Sequence, residues 1–83
     1  MSRVALVTGG SRGIGESIAS VLARDGAKVY VLDIEPAKSD LEKVAAKIGG
    51  VALVADITAK TTPKLIADAV KLDGGLDIIV HNA

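Results

Sequence analysis

Val4-Ala5-Leu6-Val7-Thr8-Gly9-Gly10-Ser11-Arg12-Gly13-Ile14-Gly15 is the stretch on which the fold of this chain turns. An apolar run stops at a glycine-rich turn, and the turn opens into a helical pattern. Physically this is a buried parallel strand delivering its carboxyl end to the amino end of a helix. Backbone N–H groups and the positive end of the helix dipole then face whatever lies above the sheet, a place that suits a phosphate. Gly9 takes the sharp turn, Gly13 lets the backbone approach a pyrophosphate, and Gly15 lets the helix lie close on the strand.

Outward from that stretch, strands and helices alternate. Arg3 to Val7 reads as the first strand. Ile14, Ile18, Val21 and Leu22 then recur at helical spacing, with Ala19 and Ala23 between them, and Gly26 ends the helix. Lys28 to Asp33 is a second strand, parallel to the first because a helix connects them. Pro36 fits a loop or a first helical turn, with Ser39 or Asp40 as cap for a helix carrying Leu41, Val44, Ala45 and Ile48. Gly49-Gly50 closes it. Val51 to Ala55 is a third strand, ending in Asp56. Thr58 or Thr61 caps the next helix, which tolerates Pro63 in its first turn and turns Leu65, Ile66, Ala69, Val70 and Leu72 inward. Gly74-Gly75 leads into a fourth strand, Leu76 to Val80.

This alternation predicts an α/β fold: the amino-terminal part of a doubly wound, Rossmann-type parallel sheet with strand order 3-2-1-4. The first two helices cover one face and the third covers the other. Winding reverses between the first and fourth strands, so a ligand crevice is expected there, beyond the carboxyl ends of the strands. Gly9–Gly15, Asp33, Asp56 and His81-Asn82-Ala83 all fall at strand ends.

Composition excludes other classes. Hydrophobic residues make up 49% of the 83, yet Tyr30 is the sole aromatic, so the core is built from Val, Ile, Leu and Ala. Formal charge is zero and no stacking platform exists, which argues against a nucleic-acid partner. There is no cysteine and one histidine, excluding disulfides, thiolate metal sites and multi-histidine zinc sites. No signal peptide or membrane-span pattern is present, and a cytoplasmic location is expected.

The segment Thr8-Gly9-Gly10-Ser11-Arg12-Gly13-Ile14-Gly15 resembles the cofactor motif of the short-chain dehydrogenase/reductase family, TGxxxGxG. It follows a strand, precedes a helix, and has Asp33 about 20 residues beyond the turn, as the dinucleotide fingerprint requires. A carboxylate at Asp33 can accept hydrogen bonds from both ribose hydroxyls of an adenosine, and it repels a 2′-phosphate. NAD is therefore expected in preference to NADP; the plainer reading of Asp33 is a turn or cap residue. Arg12 could stack near the adenosine or contact phosphate. Ser11 could donate its hydroxyl to the cofactor or brace the turn. The resemblance implies that Ile14 and Ile34 flank the cofactor with these residues, and that Asp56-Ile57 is the pair that meets adenine. Asp56 could equally cap a helix. Asn82 and Ala83 match the family's NNAG segment, in which His81 stands in place of the first asparagine.

Taken across its whole length, the chain resembles the amino-terminal, cofactor-binding portion of a family subunit, most like bacterial 3-oxoacyl-[acyl-carrier-protein] reductases of fatty acid synthesis. The resemblance implies hydride transfer between nicotinamide and a carbonyl or secondary alcohol. It implies a small or acyl-carrier-bound carbonyl substrate and a parent homo-oligomer, tetramer or dimer. The family's catalytic serine and Tyr-x-x-x-Lys pair are expected downstream of residue 83. The segment is thus read as a truncation, a fragment or the ordered part of a larger enzyme, expected to self-associate or be partly disordered by itself. A non-catalytic NAD(H)-binding module, or an inactive fragment, would present the same half.

Overall fold

Each apolar run forms a strand, and the four strands pair in parallel. In the computed structural model, which describes residues 3–82, β1 is Val4–Thr8, β2 is Lys28–Asp33, β3 is Val51–Val54 and β4 is Ile78–Val80. The sheet order is β3-β2-β1-β4, as predicted. Leu6 lies opposite Tyr30 on one side and Ile79 on the other, and Leu32 lies opposite Leu53. Helices α1 (Gly13–Arg24), α2 (Lys38–Ile48) and α3 (Thr62–Val70) connect them, with single 3-10 turns at Glu35–Ala37 and Lys71–Asp73.

The side-chain period of two divides the core. Val7, Val29 and Val31 face α1 and α2, where they meet Ala19, Leu41, Val44 and Ala45. Val4, Leu6, Tyr30 and Leu32 face the other way, onto Val70 of α3. Two helices on one face and one on the other is the expected layering. It explains why every residue of β1 is buried: a central parallel strand has no wet face.

Several local details differ from the sequence reading, each for a physical reason. Pro36 lies within a 3-10 turn, begun by Glu35, that runs directly into α2, so Ser39 and Asp40 already lie inside the helix and cap nothing; the cap position is Ala37. Thr61 occupies the cap position of α3 without a side-chain cap bond. The hydroxyl of Thr62 instead donates to the Asp56 carbonyl at 2.5 Å. Leu72 is 99% exposed rather than core, because the chain tightens to three residues per turn after Val70 and swings it off the apolar stripe. Ile14 and Val21 also point outward, leaving Ile18, Leu22, Ala19 and Ala23 as the packed face of α1. β4 starts two residues late because Asp77 is a clamp: its carboxylate accepts from the Val4 N–H and its own N–H donates to the Val4 carbonyl, both at 2.8 Å.

Tyr30 anchors the α3 face. Its hydroxyl faces the Asp73 carboxylate, with the Ala69 carbonyl 3.1 Å away. Lys28 lies over its ring at 5.8 Å and 3.6 Å from the same carboxylate. The hydrogen bond to Asp73, then burial, then the Asp73 charge push the phenol up to about 12. Among the described residues no helix is long and apolar enough to cross a membrane, and no acidic, histidine or cysteine cluster could hold a metal ion.

Candidate functional site

The glycine turn joins β1 to α1. Thr8 is buried at the end of β1, and the chain then reverses through Gly9, whose φ of +64° lies in the left-handed region that favours glycine. Arg12 is extended and occupies the helix cap position without a side-chain cap bond. The amides of the first turn of α1 therefore meet no capping side chain, and they sit at the positive end of the helix. Gly15 makes the close approach possible. A Cβ built there would lie 2.1 Å from the Gly9 carbonyl oxygen, so the helix could not rest where it does with any larger residue.

Asp33, at the end of β2, reaches back to that turn. Its Oδ2 accepts the Ser11 hydroxyl at 2.6 Å and the Ser11 N–H at 3.4 Å, while Oδ1 accepts the Ile34 N–H at 2.8 Å. Partial burial opposes ionisation. The bonds from Ser11 and Ile34, with the nearby Arg12 charge, outweigh it and hold the carboxyl below its ordinary value. Ser11 thus braces the turn: its one hydroxyl proton is committed to Asp33.

The end of β4 closes the third side. The Asn82 N–H donates to the Thr8 hydroxyl oxygen at 2.9 Å, and its side-chain amide donates to the Gly9 carbonyl at 3.4 Å. Thr8 in turn reaches the Val80 carbonyl at 3.4 Å. His81 is exposed beside it. Ala83 lies outside the described residues.

Gly9, Ser11, Arg12, Asp33, Ile34 and Asn82 therefore line one cleft of about 310 Å³, across the carboxyl ends of β1, β2 and β4. Most of its lining comes from the β1 turn and from the end of β2, and only Asn82 comes from the β4 side, so the cleft sits more towards β2 than the reversal between β1 and β4 where it was expected. Pro36, Ala37 and Asp40 complete its wall. Gly13 and Ile14 lie in the first turn of α1 and do not line the cleft, and Ile14 is 71% exposed. Asp56 belongs to a neighbouring depression that shares Ile34 and Pro36. Its Oδ1 accepts the Thr58 hydroxyl at 2.7 Å and the Thr58 N–H at 2.8 Å, which lowers its pKa. Asp56 is therefore a turn residue rather than the cap of α3. Ile57 lies beside it, partly exposed.

Besides the wall residues Pro36, Ala37 and Asp40, which were not expected at the site, two supporting residues escaped the sequence reading. Gly10 packs against β2: a Cβ there would lie 2.9 Å from the Val31 Cβ, and its N–H donates to the Leu32 carbonyl at 3.2 Å. Thr8 was visible only as a motif letter, yet it is the hydroxyl that links β1 to β4. A threonine ending a fully buried apolar strand is the available signal, since a buried hydroxyl needs a partner.

Known proteins resemble this chain in sequence and in fold. Residues 3–83 match the family described as short chain dehydrogenase. The chain belongs to that family. The oxidoreductase UcpA of Salmonella typhimurium is 40% identical over 98% of this chain and 32% of its own length. Galactitol 2-dehydrogenase of Agrobacterium fabrum is 37% identical over 99% of this chain and 32% of its own. Among solved structures, the 3-ketoacyl-(acyl-carrier-protein) reductase of Brucella melitensis complexed with NADH superposes with a TM-score of 0.82. It is 36% identical, covering 93% of this chain and 32% of that one. This short chain dehydrogenase segment thus spans about a third of the length of the relatives it matches.

The residues present suit a dinucleotide's adenosine diphosphate portion. The first-turn amides and Arg12 are donors for an anion, and Asp33 is an ionised acceptor for a sugar hydroxyl.

Proposed function

We propose that this chain binds the adenosine diphosphate portion of a nicotinamide dinucleotide, NAD in preference to NADP, for an oxidoreductase acting on a carbonyl or secondary alcohol. The observation that carries the reading is the convergence of three strand ends on one cleft: an uncapped helix start, an ionised Asp33 and the Asn82 amide. In this reading the amides from Gly9 to Gly15 and Arg12 hold the diphosphate, with Ile14 beside them in the first turn of α1. Asp33 and Ile34 hold the adenosine sugar, Asp56 and Ile57 bound the adenine, and Asn82-Ala83 fix the nicotinamide-ribose side. NAD, when bound, supplies the hydride-transfer chemistry; this chain's residues bind it and orient it.

Preference for NAD follows from charge. A 2′-phosphate beside Asp33 would meet a carboxylate about 5 Å away, a repulsion of roughly 1–3 kcal/mol once solvent screening is included. Residues 1–83 are one segment of a single dinucleotide-binding domain in this reading, and a homo-oligomeric cytoplasmic enzyme is the whole protein proposed. The substrate proposed is an acyl-carrier-bound 3-oxoacyl thioester, supported by the likeness to the Brucella reductase; galactitol 2-dehydrogenase is comparably similar, so a polyol is the competing substrate.

Fluorescence titration of the purified protein with NADH and NADPH tests the cofactor. NADH is expected to bind about ten-fold tighter or more. Equal affinity would refute the preference, and binding of neither would refute the nucleotide reading. Following NADH oxidation with a 3-oxoacyl thioester, against NAD reduction with a polyol, in the whole protein of which this chain is a segment separates the substrates.

A further inference from the structure

We propose that α3 opens separately from the rest of the fold, that Tyr30 latches its carboxyl end, and that Tyr30 is thereby a positioning residue for the loop at Asp56. The role of that loop beside adenine rests on the nucleotide reading above; the latch itself does not.

The three helices are not held alike. On one face of the sheet α2 buries Leu41, Val44 and Ala45, and α1 buries Gly15 and Ala19. On the other face α3 buries a single hydrophobic residue, Val70; Ile66 and Ala69 are partly buried and Leu65 is 41% exposed. An element with few buried apolar contacts opens at a lower free energy than the fold as a whole. What holds its end is polar. The Tyr30 side chain, projecting from β2 and 4% exposed, faces the Ala69 carbonyl at 3.1 Å and the Asp73 carboxylate in the 3-10 turn that follows. Lys28 lies 3.6 Å from the same carboxylate. One phenol thus ties both the last turn of α3 and the turn after it to the sheet, and swinging α3 away strips a buried hydroxyl of its partners.

The other end of α3 reaches the adenine side. Thr62, buried in its first turn, donates its hydroxyl to the Asp56 carbonyl at 2.5 Å, and the Ala59 N–H donates to the same oxygen at 3.0 Å. Asp56 lines the depression shared with Ile34 and Pro36. A helix of nine residues moves as one rod, so release at Ala69 shifts Thr62 and the Asp56 carbonyl with it. The glycine turn takes its partners elsewhere, from Leu32, Asp33 and Asn82. The latch therefore bears on the adenine side of the site and spares the diphosphate side.

Hydrogen exchange in the whole protein of which this chain is a segment, with ADP or inorganic pyrophosphate as ligand, tests this. Without ligand, the amides of residues 66–70 should exchange through an opening with a weaker urea dependence than those of α1 and α2. Pyrophosphate at about 100 times its dissociation constant should slow α1 and α2 about 100-fold, because global unfolding destroys the turn, and slow α3 by less than about two-fold. ADP should slow α3 about ten-fold or more. Tyr30→Phe should speed α3 exchange about ten-fold, and Asp73→Asn, whose amide oxygen still accepts the phenol, by less than about three-fold. Pyrophosphate protecting α3 as much as α1 and α2 would show that α3 opens only with the whole fold and overturn the inference. Unchanged α3 exchange in Tyr30→Phe would overturn the latch, and equal effects of the two ligands on α3 would overturn the link to Asp56. Binding of neither ligand refutes the nucleotide reading and that link with it, while the urea dependence and Tyr30→Phe still decide the latch.

Discussion

Gly15 lies where the turn, α1 and the end of β4 press together, and one added methyl group tests that packing. In Gly15→Ala the new Cβ would lie 2.1 Å from the Gly9 carbonyl oxygen, 2.9 Å from the Gly9 carbonyl carbon and 2.8 Å from Asn82 Nδ2. Carbon and oxygen in a close non-bonded contact keep about 3.3 Å apart, so more than 1 Å of movement is needed, and one obstacle is backbone. Two effects oppose each other. Alanine is better than glycine in a helix by about 1 kcal/mol. Overpacking costs about 1–3 kcal/mol, and a rigid neighbour puts this site at the upper end. The net expectation is a loss of about 2 kcal/mol, read from urea unfolding transitions of unchanged slope. Gly13→Ala is the internal control: nothing lies within 4 Å of its Cβ, and only the left-handed φ of +62° resists it, at about 1–2 kcal/mol. Hydrogen exchange should then show the Asn82 amide loosened in Gly15→Ala and unchanged in Gly13→Ala. A Gly15→Ala protein as stable as wild type, or more so, would mean that helix propensity outweighs contact here and that the turn does not rest on the helix.

Asp33→Asn removes the charge from the cleft, and the ratio of NADPH to NADH affinity should rise about ten-fold; an unchanged ratio would place the discrimination elsewhere. Because the folded Asp33 titrates below its ordinary 3.8, its stabilisation is complete above that value and fades as pH falls through the folded value. The stability difference between wild type and Asp33→Asn should accordingly shrink only in acid. Tyr30→Phe should cost about 1–2 kcal/mol by leaving Asp73 without the phenol. In the wild type, tyrosinate absorbance should rise with a midpoint near the raised value of about 12. The stability Tyr30 contributes is full below its ordinary 10.0 and is lost as pH climbs from there through about 12; a midpoint at 10.0 would rule out the Asp73 bond. Thr8→Val removes the acceptor of the Asn82 N–H, at about 1–2 kcal/mol, and exchange of that amide should accelerate. Unchanged protection there would show that the hydroxyl does not hold β4.

What the sequence disclosed was whatever is periodic or local. The apolar runs and the 3.6-residue stripes place all four strands and three helices, and the helix connections make the strands parallel. The glycine turn and the positions of Ser11, Arg12 and Asp33 at strand ends were legible because a buried strand that meets a helix through glycines has a fixed local logic. Boundaries were less legible. Pro36 could start a helical turn or sit in a loop, and only packing of α2 decides that Ser39 and Asp40 fall inside it. Leu72 fits the α3 stripe on paper, yet one tightened turn removes it.

What the sequence does not disclose is how these residues pair, because their partners lie far along the chain. Thr8 and Asn82 meet across 74 positions, Gly9 and Asn82 across 73, and Ser11 and Asp33 across 22. No periodicity encodes such pairs; they exist because the sheet order sets β1 between β2 and β4. That central position gives the glycine turn a neighbour on each side, Asp33 from β2 and Asn82 from β4. The turn also rests on Gly15 beneath it. A loop rich in glycine would otherwise be the most mobile part of the chain. Held from two strand ends and from below, it can keep its amides aimed at one place, which is the condition for binding an anion without first paying to order the loop.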